Sequence, residues 1–469
     1  MRLKTKDIFF FITCVMVVTV RGLMLPAQEI NDLIAQENQT SLIGMEVRHM
    51  KTGTVLYEKN AHLLMKPASL QKIPASLAAL LTLGPKHKFV TRIGSNGDDV
   101  YVYFTGDPTL RLRDLAILFK KYAQKKGKIV KGNIYVNQID YPPFPHQDGW
   151  AVDSTRFLYG ALISNININN NSVCLGITPP RFYGNKPSIS YEKDQPSYAV
   201  LNSVQSGSCT ENNRMQRRDI YFDGHSIHIK GCVPLGSDSF RACLPMTSTE
   251  FKGYVQHCLK SALQQTGILF EGQIVFKPFT ARQFLPVAVH YSAPLSDLMV
   301  PGMKDSKNVI MEGFMVPIAM NKPHEFKKEG ALEAFLVNIL RGHGLGDYST
   351  ARMCDMSGLS HHNLISSSQI GEMLWKASQR LKGFNRWKEA FALYGEDGTL
   401  AKRGVLKNKK IRIYAKTGSL LGVSNIAGYV EKEGKPLISF VIMVQNFTKK
   451  RSHFSILQDK IIQRLARNL

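Results

Sequence analysis

The sequence predicts an α+β fold (an α/β mixture in the broad sense): an antiparallel sheet flanked by helices, with strands from both ends of the chain and a β-rich insertion between them. Three stretches predict it. A hairpin pattern over residues 43–60 leads into a leucine-rich helix over 67–84. Three strand-like runs, 411–419, 424–429 and 437–444, precede a basic amphipathic helix at 453–468. Between about 89 and 287, short β-like runs and turns hold five of the seven cysteines. One sheet built from both ends forces the termini together and makes the middle third bulge out. A length of 469 residues predicts two or three domains, and a 44% hydrophobic content suffices for a core.

The chain opens on a targeting pattern. Arg2, Lys4 and Lys6 precede a mostly apolar run from Ile8 to Val20, which suits a signal segment and is short for a membrane span. Residues 1–27 are therefore expected to direct export, with an uncleaved anchor as the alternative. Residues 28–41 read as a lead-in helix. In the hairpin, Lys51-Thr52-Gly53 occupies the turn, where Gly53 supplies a positive φ. In the insertion, 89–93, 100–104 and 132–136 read as strands and 111–125 as a basic helix. A polar, loop-rich tract fills 176–250, and a helix returns at 253–266. From Leu295 helices dominate, at 306–317, 330–342, 367–381 and 386–393. The division expected is 28–88 with 288–469 as one domain, and 89–287 as two inserted units, one nested in the other.

Export permits disulfides, and Cys209 with Cys232 is the preferred pair, since each lies in a turn-like stretch beside a strand pair. No Cys-x-x-Cys or His-x-x-x-His spacing suggests a metal, and no cofactor is expected. The formal charge is +24; residues 1–27 carry four basic side chains and one acid, so their loss leaves +21. Such a body is drawn to polyanions. Export disfavours nucleic acid, and anionic cell wall or membrane surface fits better.

Three triplets carry chemistry. Ser69 and Lys72 stand three apart at the start of the leucine-rich helix, so hydroxyl and amine share a face. An amine beside a hydroxyl makes it nucleophilic, provided burial or nearby positive charge keeps the amine neutral; Lys416 is the candidate neighbour. Ser306-Lys307-Asn308 is the one Ser-x-Asn of the chain. The Ser306 hydroxyl suits proton relay to a leaving group, and the Asn308 amide suits a hold on both Lys72 and a substrate carbonyl. Taken alone, Ser306 is no more than a helix N-cap. Lys416-Thr417-Gly418 lies on an alternating strand. Lys416 and Thr417 suit a substrate carboxylate, Gly418 admits close backbone approach, and the Ser419 and Ser69 N–H groups suit an oxyanion. Ser190-Tyr191-Glu192-Lys193 also fits Ser-x-x-Lys, but no leucine-rich helix follows it.

Order and local setting make the set specific. With Pro67-Ala68-Ser69-Leu70-Gln71-Lys72, Gly106-Asp107-Pro108-Thr109-Leu110, Tyr159-Gly160-Ala161, Ser306-Lys307-Asn308, Ser357-Gly358-Leu359-Ser360, Asp397-Gly398-Thr399-Leu400 and Lys416-Thr417-Gly418-Ser419-Leu420, the chain resembles the penicillin-binding protein 4 type of D-alanyl-D-alanine carboxypeptidase/endopeptidase. The 237 residues from Ser69 to Ser306 exceed what a small β-lactamase holds. The resemblance implies a β-lactamase/transpeptidase-like sheet domain with accessory insertions. It also implies peptidoglycan stem peptides as substrate and β-lactam antibiotics as covalent ligands. The competing readings are a β-lactamase or esterase of the same superfamily, and an inactive peptidoglycan-binding scaffold.

The chain departs from the family at four positions. Pro74 enters the first turns of the Ser69 helix and would remove a helical hydrogen bond if it sat deeper. Lys307 stands where Asp is usual; His361 follows Ser-Gly-Leu-Ser where Arg is usual; Ser154 holds the place of an acid, with Asp153 just before it. The resemblance implies that this acid and Arg bracket the charged end of the stem's diamino acid. With Asp153 and His361 in those roles, selection for that end is expected to weaken, and to recover as His361 gains charge.

Overall fold

The computed structural model describes residues 27–469, apart from 38–39, 140–146, 212, 217–218, 405, 407 and 468–469. The expected signal segment therefore lies outside the described residues, except for its last position. No helix among the described residues is long and apolar enough to cross a membrane.

Six strands form the central sheet, in the order 392–393, 411–420, 423–432, 435–445, 42–49, 55–59. Every neighbouring pair is antiparallel. The two ends of the chain meet directly, with Leu42 opposite Gln445 and Met45 opposite Ile442. Side-chain alternation gives the sheet two apolar faces. Ile438, Phe440, Ile442 and Val444 pack with the helices Ala27–Glu37 and Arg451–Arg467. Val441, Met443, Ala427 and Tyr429 face the opposite core, which contains the helix Lys72–Leu83 and the helices between Leu295 and Lys388. The active-site helix is thus pinned by a core on its far side, with Ile73, Ala75, Leu77 and Ala78 fully buried.

Two expected helices differ. The one over 306–317 is two, Asn308–Gly313 and Val316–Asn321, because Pro317 fits only the first turn of a new helix. The one at 386–393 ends at Lys388, and Ala392–Leu393 instead pairs with Tyr414–Ala415 as the sheet's short edge. Pro74 falls in the first turn of its helix, where its missing N–H is not needed.

The middle of the chain carries a five-stranded sheet, ordered 274–277, 134–137, 99–104, 90–96, 285–291, under the helices Leu112–Lys126 and Phe251–Thr266. Its last strand pairs with residues 90–96, so the chain stays in this sheet to Tyr291, past the expected limit at 287. The tract read as loop-rich holds smaller sheets, including 240–245 beside 172–178 and 220–222 beside 226–229. Cys209–Cys232 is bonded as expected. Cys174–Cys243 is bonded too; these two sit directly opposite on antiparallel strands, a register that spacing does not reveal. Cys258 and Cys354 are free.

Candidate active site

Ser69 lies on a short 3-10 turn, Ala68–Gln71, that feeds the helix starting at Lys72. In a 3-10 turn, residues three apart eclipse, which brings Ser69 and Lys72 closer than a regular helix would. The turn is held from outside. Asn425 Nδ2 donates to the carbonyls of Lys66 (2.8 Å) and Pro67 (3.0 Å), and Gln445 Nε2 donates to Lys66 O (2.7 Å). Ala68 takes a φ of +48°, a strained value for a residue with a Cβ. Gly358 permits this: a Cβ there would stand 1.8 Å from Ala68 O.

Lys72 is fully buried and its Nζ has three neighbours: Ser69 Oγ at 2.9 Å, Asn308 Oδ1 at 2.7 Å and Ser357 O at 2.6 Å. A neutral amine fits this set. An ammonium would donate to all three oxygens, whereas the neutral amine donates one N–H each to the amide and carbonyl oxygens and leaves its lone pair for the serine hydroxyl. Burial pushes the Lys72 ammonium down to about 7, against the opposing pull of Asp355 and Glu312. Of the two causes expected, burial and a neighbouring positive charge, burial is the one that dominates at Lys72; Lys416 is likewise lowered first by its own burial and then by the nearby Lys72 charge.

Asn308 holds Lys72 as expected, but its Nδ2 donates to Tyr159 O at 2.9 Å, so one of its two N–H donors is committed to the insertion rather than to a ligand. Ser306 is not a helix cap. Lys307 takes that place, and Ser306 sits just before it, half-buried, with φ at +58°. Lys416 points into the protein, fully buried, with Nζ on Thr417 O at 2.9 Å. Thr417 faces the opposite way and donates to Thr399 Oγ1 at 2.9 Å. Gly418 lies against the serine turn; a Cβ there would be 2.6 Å from Pro67 O and 3.1 Å from Ser69 N. Ser419 is exposed. The Ser69 turn, Lys72, Asn308 and the Lys416–Gly418 strand therefore form one constellation.

The outer pair is looser. Asp153 is exposed on the turn Val152–Arg156, with Ser154 half-buried beside it. His361 is half-buried, and burial together with Lys66 and His362 pushes its imidazole below the usual range. Its backbone N–H reaches Gly149 O at 2.9 Å. The contact beside it belongs to His362, whose Nδ1 lies 3.0 Å from Asp148.

Sequence reasoning missed two buried acids. Asp355 accepts from the Gly358 and Ser360 N–H groups, Trp150 Nε1, Asn363 Nδ2 and the Ser357 hydroxyl. It shapes the loop whose Ser357 carbonyl receives Lys72. Glu312 lies one helical turn after Asn308, buried. The Ser-Gly-Leu-Ser motif directs attention to this loop but gives no sign that an acid two residues upstream organises it.

The D-Ala-D-Ala carboxypeptidase 3 (S13) family profile matches residues 26–467. The chain belongs to that family. It is accordingly a serine-type hydrolase of the D-Ala-D-Ala carboxypeptidase/endopeptidase class. It is 26% identical over 435 residues to D-alanyl-D-alanine carboxypeptidase DacB of Haemophilus influenzae, covering 89% of this chain and 88% of that one. It is 27% identical over 421 residues to a D-alanyl-D-alanine carboxypeptidase of Actinomadura, covering 85% and 77%. The crystal structure of penicillin-binding protein 4 from Haemophilus influenzae superposes with a TM-score of 0.80 at 24% identity, over 93% of this chain and 99% of that one. A predatory peptidoglycan endopeptidase of Bdellovibrio bacteriovorus shares the fold at a TM-score of 0.53 and 13% identity, over 92% of each chain.

Proposed function

We propose that the chain cleaves the D-Ala-D-Ala bond of peptidoglycan stem peptides through an acyl-enzyme on Ser69. The observation that carries this is Lys72 Nζ, buried, 2.9 Å from Ser69 Oγ, with its two other neighbours already accepting N–H. In the reading we favour, the neutral amine takes the Ser69 proton as Oγ attacks the penultimate D-Ala carbonyl. The N–H groups of Ser69 and Ser419 stabilise the oxyanion. Ser306 passes the proton from Lys72 to the leaving amine. Lys416 and the hydroxyl of Thr417 draw the terminal carboxylate to the cleft, and water then releases the acyl group. β-Lactams would enter the same path and stop at the acyl-enzyme; the Haemophilus penicillin-binding protein 4 has been solved with a β-lactam bound.

Residues 27–88 with 292–467 form the peptidase part in this proposal, and the insertion between them contributes the wall that ends at Tyr159. Export by residues 1–27 and adhesion to anionic cell wall belong to the same proposal, as does the reading of the stem's diamino acid by Asp153 and His361. The test is direct. Purified protein is given a stem pentapeptide, and a cross-linked dimer in parallel. Release of D-alanine from the first, blocked by prior treatment with penicillin, is expected. Folded protein that releases no D-alanine, cuts no cross-link and takes no penicillin overturns the proposal.

A further inference from the structure

The mechanism above leaves Glu312 without a task, although it is 1% exposed and sits beside the base. Its two oxygens are treated unequally. Oε1 accepts the Met356 N–H at 3.1 Å, while the buried Oε2 finds no hydrogen-bond partner among the described residues. Asp355, its buried neighbour, differs: five donors surround its two oxygens. A carboxylate with one donor and one bare oxygen is costly in the same interior. A carboxylic acid is not, since its O–H needs no counter-charge.

The groups that face Glu312 are few. Lys72 comes from the nucleophile helix, and Asp355, the Ser357 hydroxyl and the Met356 N–H come from the loop that carries the Lys72 acceptor. Asn308, the other acceptor of Lys72, lies one turn before Glu312 on its own helix. The same backbone segment, Met356-Ser357, thus touches Glu312 through its N–H and Lys72 through its next carbonyl.

We propose that Glu312 is a positioning residue that shares one proton with Lys72: the carboxyl is neutral, protonated on Oε2, while the amine is the free base, and its ionisation pulls Lys72 into the inactive ammonium form. No direct transfer is required. Each group exchanges protons with solvent, and the coupling is electrostatic, so the pair titrates in two steps that belong to both residues. Burial and the Asp355 charge push the Glu312 carboxyl up to about 8, which agrees with a neutral acid in the working enzyme. The inference rests on Lys72 being the base.

Two measurements on the whole protein test it. The infrared spectrum of the wild type should keep a protonated-carboxyl C=O band above about pH 6, where ordinary carboxyls are ionised, and Glu312→Gln should lack it. The pH profile of acylation by a chromogenic cephalosporin should show two coupled ionisations on its acid side. In Glu312→Gln it should collapse to a single ionisation, with the midpoint lower by at least about half a pH unit, because no anion then holds the proton on Lys72. Glu312→Asp should restore the two-step profile. Absence of the band in the wild type overturns the proposal, whether or not the variants fold. A Glu312→Gln profile with unchanged shape and midpoint, reduced only in height, also overturns it and leaves Glu312 a packing role. Failure of Lys72 as the base would show separately, as near-normal acylation in Lys72→Arg, with the band still present.

Discussion

The triplet Lys-Thr-Gly occurs twice in this chain, at 51–53 and at 416–418, and the two copies behave oppositely. The first sits in an exposed hairpin turn, where Gly53 takes a φ of +75° and the Thr52 hydroxyl bonds to its neighbours Thr54 and His49. The second runs along a central strand. There Lys416 is buried beneath the site, Thr417 reaches the Asp397–Leu400 turn, and Gly418 lies against the nucleophile's backbone. Composition is identical and the physics is not. What makes a lysine useful here is a low-dielectric setting facing another lysine, and what makes the glycine necessary is the close approach of the serine turn rather than a turn of its own.

Paired substitutions sharpen the contrast. Lys416→Ala should lower kcat/KM for a D-Ala-D-Ala peptide by about 10²-fold or more, as for loss of a fixed electrostatic group at a reacting centre. Lys51→Ala should leave it unchanged and alter stability by no more than about 0.5 kcal/mol. Equal effects would erase the distinction. Gly418→Ala brings a Cβ to 2.6 Å from Pro67 O and should displace the Ser69 turn, lowering acylation by up to about 10²-fold. Gly53→Ala meets the Trp375 ring at 2.4 Å and a left-handed φ, so thermal unfolding should report a loss of about 1 kcal/mol or more, with acylation per folded molecule intact.

The pH dependence follows from burial of the second copy's partner. Lys72 works as the free base, and its ammonium is pushed down to about 7, so acylation should rise with pH up to about 7 and fall by about tenfold per unit on the acid side as the amine gains its proton. A rate independent of pH between about 5 and 8 would contradict this. The smallest effect concerns His361. Its imidazole is held below the usual range, so it gains charge only under acidic conditions. Preference for stem peptides with a charged diamino-acid end should increase modestly as pH falls, and His361→Ala should abolish that increase. A preference equal at both pH values and untouched by the substitution would assign the reading of that side chain elsewhere.

Much of this architecture is legible in one sequence because local and long-range signals agree. The leucine spacing of 67–84, the alternation of 411–444 and the turn at Lys51-Thr52-Gly53 each name their element without tertiary knowledge. The order of the three triplets then places Ser69, Lys72, Asn308 and Gly418. The sequence is silent where the deciding contact is made by backbone or by a residue with no motif. The Ser357 carbonyl, the donor cage of Asp355 and the bare oxygen of Glu312 are properties of packing. So is the commitment of the Asn308 amide to Tyr159 O, which crosses 149 residues. The Cys174–Cys243 bond depends on strand register in a tract whose polarity suggests loops.

The central claim, that Ser69 is the acylated residue, is tested most directly by mapping a penicillin adduct by mass spectrometry in the wild type and in Ser69→Ala. One adduct per chain on the peptide containing Ser69, and none anywhere in a folded Ser69→Ala, is the predicted result. An adduct that survives in Ser69→Ala, on Ser190 or elsewhere, would contradict it.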